Sequence, residues 1–133
     1  WSDPENLKHA VALEIAASDE STALDTSSNP RVTFRMPFAM TLNSSENGVR
    51  CSLTTAGSTS GVTEVDILQG GVSILSTTLT IDSGSLTSVG ATTPVVVGTT
   101  ALTDNSSMTV AVDTISGGAT EAGLKIQLIG DLT

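Results

Sequence analysis

The sequence predicts an all-β domain: an antiparallel β-sandwich of jelly-roll type with eight or nine short strands. Three observations predict it. Apolar residues recur with a period of two and nowhere sustain a helical period. β-Branched residues are frequent throughout. Clusters of Gly, Asn, Asp and Ser punctuate the chain at short intervals. A chain of this pattern can bury its apolar faces as a sandwich, a jelly roll or a small barrel, and the sandwich of jelly-roll type is the expectation here.

The elements follow in order. Residues 1–9, Trp1 to His9, read as an N-terminal arm, because Pro4 and its polar neighbours break any early strand. Residues 10–133 read as a single sandwich domain. Val11, Leu13 and Ile15 share one face of a first strand, and residues 18–30 are a polar loop ending in Asn29-Pro30. Val32, Phe34 and Met36 point inward on the next run, which Pro37 interrupts. A short strand continues from Phe38 to Leu42, and Asn47-Gly48 signals a tight turn into a strand lined by Val49, Cys51 and Leu53. From Val62 to Gln69, Thr63, Val65 and Ile67 share the inner face, while Glu64 and Asp66 share the outer one. Gly70-Gly71 predicts a two-residue hairpin into Val72–Leu75. Thr78–Ile81 forms a further strand, closed by Asp82-Ser83-Gly84. Residues 85–107 read as loop with one β-rich run at Val95–Val97. Met108, Val110 and Val112 face inward on a late strand, Gly117-Gly118 turns the chain, and Leu124, Ile126 and Leu128 line a last strand ending at Gly130. The expected core includes Val11, Leu13, Ile15, Val32, Phe34, Val65, Ile67, Val110, Leu124 and Ile126.

Composition bounds the function. Of 133 residues 38% are hydrophobic but only 2% aromatic: Trp1, Phe34 and Phe38, with no Tyr. Aromatic rings supply much of the area buried in small cores, so a core built from Val, Ile, Leu and Ala is expected to gain stability from neighbouring subunits. Five cations face fourteen carboxylates, a net charge of −9. That field repels phosphate backbones and anionic lipid, so neither nucleic acid nor membrane is an expected partner. No run approaches the roughly twenty apolar residues of a membrane helix. No secretory leader is visible, and a start at Trp1 rather than Met is what a processed or trimmed product would have.

Catalytic constellations are hard to assemble from these residues. His9 is the sole histidine and lies in the arm, and no Gly-x-Ser-x-Gly elbow exists. With one His and one Cys the chain lacks a zinc ligand set. Cys51, the single cysteine, cannot form an intrachain disulfide and reads as a small buried hydrophobe, with Arg50 on the opposite strand face. Glu64 and Asp66 stand about 7 Å apart by strand rise, a spacing that could serve a carboxylate pair or a calcium ion. The plainer reading, that both face water on an outer strand, is favoured. No catalytic residue, metal or cofactor is expected. Arg31 and Arg35 share the outer face of one strand in a chain short of cations. They are expected to pair with carboxylates of the same sheet, such as Glu64 or Asp66, or with those of a neighbouring subunit, where Arg–carboxylate contacts set register and partner choice.

Five blocks carry a resemblance: Arg31-Val-Thr-Phe-Arg-Met-Pro-Phe-Ala-Met-Thr-Leu42, Val49-Arg-Cys-Ser-Leu-Thr-Thr55, Val65 to Asp82, Met108 to Asp113, and Gly123 to Gly130. In this order, over roughly residues 10–130, the chain resembles a small β domain of tailed-bacteriophage virion proteins. That domain occurs as stand-alone proteins and at the ends of fibre-like proteins. The third block is the most specific. The resemblance implies a jelly-roll-like sandwich, commonly trimeric, displayed on the virion surface and without catalytic residues. The expected function is therefore capsid decoration, a homotrimer that binds the major capsid protein or another virion protein and stabilises the shell. The alternatives are a tail-fibre or head-fibre tip that reads a host surface receptor and, less favoured, a carbohydrate-active enzyme domain. The compact length favours decoration. The shortage of aromatic platforms counts against glycan reading. The expected interface residues are Trp1 and Leu7, as apolar anchors of the arm, together with Arg31 and Arg35.

Overall fold

The computed structural model describes residues 9–27, 29–58, 60–117 and 120–133. The expected arm, with its anchors Trp1 and Leu7, lies outside the described residues except for His9, which is exposed. The structure is all-β: twelve strands among the described residues, arranged mainly as two five-stranded antiparallel sheets packed face to face.

The strands are β1 (Ala10–Ala16), β2 (Val32–Arg35), β3 (Met40–Leu42), β4 (Val49–Ser52), β5 (Val62–Gln69), β6 (Val72–Ser73), β7 (Leu75–Thr77), β8 (Leu79–Asp82), β9 (Val96–Val97), β10 (Ala101–Leu102), β11 (Ser107–Thr114) and β12 (Lys125–Leu132). The first sheet runs β1-β12-β3-β10, with β4 beside β3 along the same edge of β12. The second runs β2-β11-β5-β6, with β8 also on β5. β7 and β9 pair separately.

The period-two pattern positions the core. Val65, Ile67, Met108, Val110, Val112, Leu124, Ile126 and Leu128 are all fully buried, and so are Met36 and Met40. Their partners one residue on face outward, as the pleat requires. Val49, Cys51 and Leu53 are buried as the sequence predicts. The Gly70-Gly71 hairpin is present, with φ of 60° and 83°, a combination that glycine reaches without strain.

Several expectations are corrected. Twelve strands replace eight or nine: the run Val72–Leu75 is divided, and the segment 85–107 holds two strands instead of one. Val72–Leu75 splits at Ile74, whose buried side chain turns into the core while its N–H donates to Ile67 O. β10, absent from the sequence reading, is two residues long and pairs with β3. Asn47-Gly48 does not close a hairpin: Ser45–Asn47 is a 3-10 turn, and β3 and β4 lie end to end along β12. The last strand does not stop at Gly130 but runs to Leu132. Gly130 is there for space, since a Cβ at this position would overlap the carbonyl of Thr41. Finally, Val11, Leu13, Ile15, Val32 and Phe34 face inward but are only partly buried. They belong to the edge strands β1 and β2, which have a neighbour on one side alone.

Candidate functional site

The two edge strands lie on one side of the sandwich. On the opposite side the sheets are closed against each other. β4 packs on β8, Ser52 bridges to Thr87, and the Gln69 side chain at the end of β5 bonds the backbones of Ala101 and Thr103 beside β10. Among the described residues, β1 and β2 are left as the free edges of the first and second sheets. The segment 17–31 joins them around one end of the molecule. Ala17 N–H donates to Leu124 O, Leu24 N–H to Glu121 O, and Arg31 N–H to Val110 O; Asn29 exchanges two hydrogen bonds with the Val112 backbone. β1 therefore runs towards that end and β2 away from it. Between them the inward faces of Val11, Leu13, Ile15, Val32 and Phe34 form a seam that the sandwich leaves partly uncovered. No Pro or bulge interrupts the pairing of β1 or β2.

The outer faces of these strands carry charge. On β1 the outward residues are Ala10, Ala12, Glu14 and Ala16, so Glu14 alone projects; its Oε2 accepts a bond from Gln127 Nε2 at 2.8 Å. Asp131 stands opposite Ala10 on the same outer face. The short alanines leave a shallow hollow of about 310 Å³ beside Glu14, with Arg50 and Gln127 in its lining. On β2 the exposed Arg35 Nη1 donates to Asn105 O at 2.9 Å. Arg31 Nη1 lies 3.7 Å from Asp25, and its buried Nε has no hydrogen-bond partner among the described residues. The expected pairing of these arginines with Glu64 or Asp66 does not occur, because β11 lies between β2 and β5.

Glu64 and Asp66 face outward on β5, half-exposed, with Asp113 of β11 beside them at the bulge between Val112 and Thr114. Asp66 accepts bonds from the Ile67 N–H and from Ser73 Oγ. Partial burial pushes the Asp113 carboxyl above the ordinary range, and the charges of Asp66 and Glu64 push it further. No group of three or more His, Cys, Asp or Glu among the described residues is arranged to hold a metal ion. Cys51 is buried, and burial pushes its thiol up to about 12.

One polar group escaped the sequence reading. Glu121 is 1% exposed. Its Oε2 accepts from Ser116 N–H at 3.0 Å and Thr63 Oγ1 at 3.1 Å, and its Oε1 accepts from Ser116 Oγ at 2.9 Å. Gly57 closes the pocket, where a Cβ would overlap Ser116 Oγ. The carboxylate thus ties the segments around Gly57, Ser116 and Glu121 to the inner face of β5. Its one sequence signal is the hydroxyl of Thr63 among the inward apolar residues of that strand.

Comparison with protein-family models, with curated proteins and with solved structures finds no match for the chain.

Proposed function

We propose that the chain is a non-enzymatic structural module of a tailed-phage virion, which assembles with copies of itself as a trimer and decorates the capsid surface. The observation that carries the assembly reading is the partly uncovered seam between β1 and β2. Five inward apolar side chains of the two edge strands, Phe34 among them, are left half-covered in the single chain, and burying them releases the water that they order. An aromatic-poor core needs that contribution more than most. The placement on a virion rests on the five sequence blocks that resemble the phage surface domain. The alternation of successive strands between the sheets supports its jelly-roll reading: β1 and β2 lie in opposite sheets, as do β4 and β5, and β11 and β12.

The decisive test uses capsids of the encoding phage that lack this protein. Purified chain should co-sediment with them at a fixed ratio to the major capsid protein and raise the temperature at which they release DNA. Absence of co-sedimentation at micromolar concentration would overturn the decoration reading.

A further inference from the structure

We infer that copies assemble head to tail around the seam, with the outer face of β1 in one copy meeting the outer face of β2 in the next. This deepens the assembly reading above and rests on it.

Each copy carries −9, so two copies repel unless the contact places opposite charges together. The two free edges differ in sign. Next to β1 the outward acids are Glu14 and Asp131, while Lys125, opposite Ala16, is paired with Glu20; on β2 and its first flanking residue the outward cations are the exposed Arg35 and the largely covered Arg31, which faces Asp25. The spacing matches. Asp131 stands opposite Ala10, four residues along β1 from Glu14, and Arg31 and Arg35 are also four residues apart. Both separations correspond to about 13 Å of strand.

The order matches too. Starting from the end of the molecule that holds Glu121, β1 reaches Glu14 before the level of Asp131, and β2 reaches Arg31 before Arg35. A neighbour rotated about an axis parallel to the strands therefore brings Glu14 towards Arg31 and Asp131 towards Arg35. The three alanines on the outer face of β1 allow close approach.

A contact between two different faces is head-to-tail, and it gives a ring where the rotation between copies closes. In a ring of three the seams face the axis, where Val11, Leu13, Ile15, Val32 and Phe34 of each copy are covered by those of its neighbours. Self-pairing of identical edges would instead set Glu14 near Glu14, or Arg35 near Arg35.

Sedimentation velocity on the full chain at low micromolar concentration tests this, with far-UV circular dichroism to verify folding. Wild type should sediment as three copies. Glu14→Lys with Asp131→Lys should dissociate the trimer by at least tenfold in concentration. Arg31→Glu with Arg35→Glu should do the same. The chain with all four substitutions should regain the trimer, since both edges have exchanged sign. A folded double variant that keeps the wild-type mass would overturn the seam pairing while leaving self-assembly standing. A quadruple variant that stays monomeric would overturn it as well. Wild type sedimenting as a monomer would overturn both the pairing and the assembly reading.

Discussion

Phe34 and Met108 stand opposite each other in the β2–β11 register, yet Met108 is fully buried while Phe34 is only partly covered. The difference is position in the sheet: β11 has a strand on both sides, whereas β2 has one on a single side. Met108→Ala should therefore cost about 2–5 kcal/mol at any protein concentration. Phe34→Ala should cost less than the roughly 3–5 kcal/mol of a fully buried Phe in the single chain, and the loss should grow with concentration as assembly covers the wild-type ring. Thermal melts at concentrations spanning two orders of magnitude separate the two behaviours. A concentration-independent Phe34 penalty would contradict a seam covered by assembly.

Glu121 is a second lever on stability. Replacement by Ala removes the acceptor of one backbone N–H and two hydroxyls in a buried pocket. Stranded buried donors cost about 1–3 kcal/mol or more, so urea denaturation should show a clear loss of stability. Gly57→Ala drives a Cβ into Ser116, with an expected cost of about 1–3 kcal/mol from overpacking. If Glu121→Ala melted like wild type, the carboxylate would not be holding its three donors together in solution.

The raised carboxyl of Asp113 gives a pH dependence of known sign. Its folded pKa lies above the unfolded value, so the folded state holds the proton more tightly. Stability from this group is greatest at low pH, where both states are protonated, and falls as pH rises through the window just above the ordinary carboxylate pKa. Asp113→Asn removes the charge and should raise the melting temperature at pH 7 relative to wild type. That gain should vanish near pH 3. A variant equally stabilised at both pH values would point to packing rather than charge.

Cys51 should be silent in the folded protein. Its buried thiol, pushed up to about 12, presents almost no thiolate at pH 8. Iodoacetamide should label it only after denaturant is added, on the timescale of unfolding. Rapid labelling of the native chain would show that the inner face of β4 opens to solvent.

Much of this fold was legible because strand side chains alternate strictly. The phase of Val65 and Ile67, of Met108, Val110 and Val112, and of Leu124, Ile126 and Leu128 followed from a period of two, as did the outward places of Arg35, Glu64 and Asp66. The Gly70-Gly71 turn was legible because few residues other than glycine accept both of its φ values.

What a strand has beside it is not written in its own residues, and there the tertiary structure decided. Val11 and Phe34 carry the same pattern as Ile67 and Val110, yet they lie on edges and remain partly open. The arginines of β2 do not reach Glu64 and Asp66 because β11 is inserted between, a pairing of residues more than seventy positions apart in the chain. Glu121 is buried by three segments that meet only in the folded state, where Gly57 leaves room for its carboxylate. Local pattern fixes which way a side chain points, since that depends on backbone geometry alone. Only long-range pairing fixes what it meets, and with it the open seam on which the proposed assembly depends.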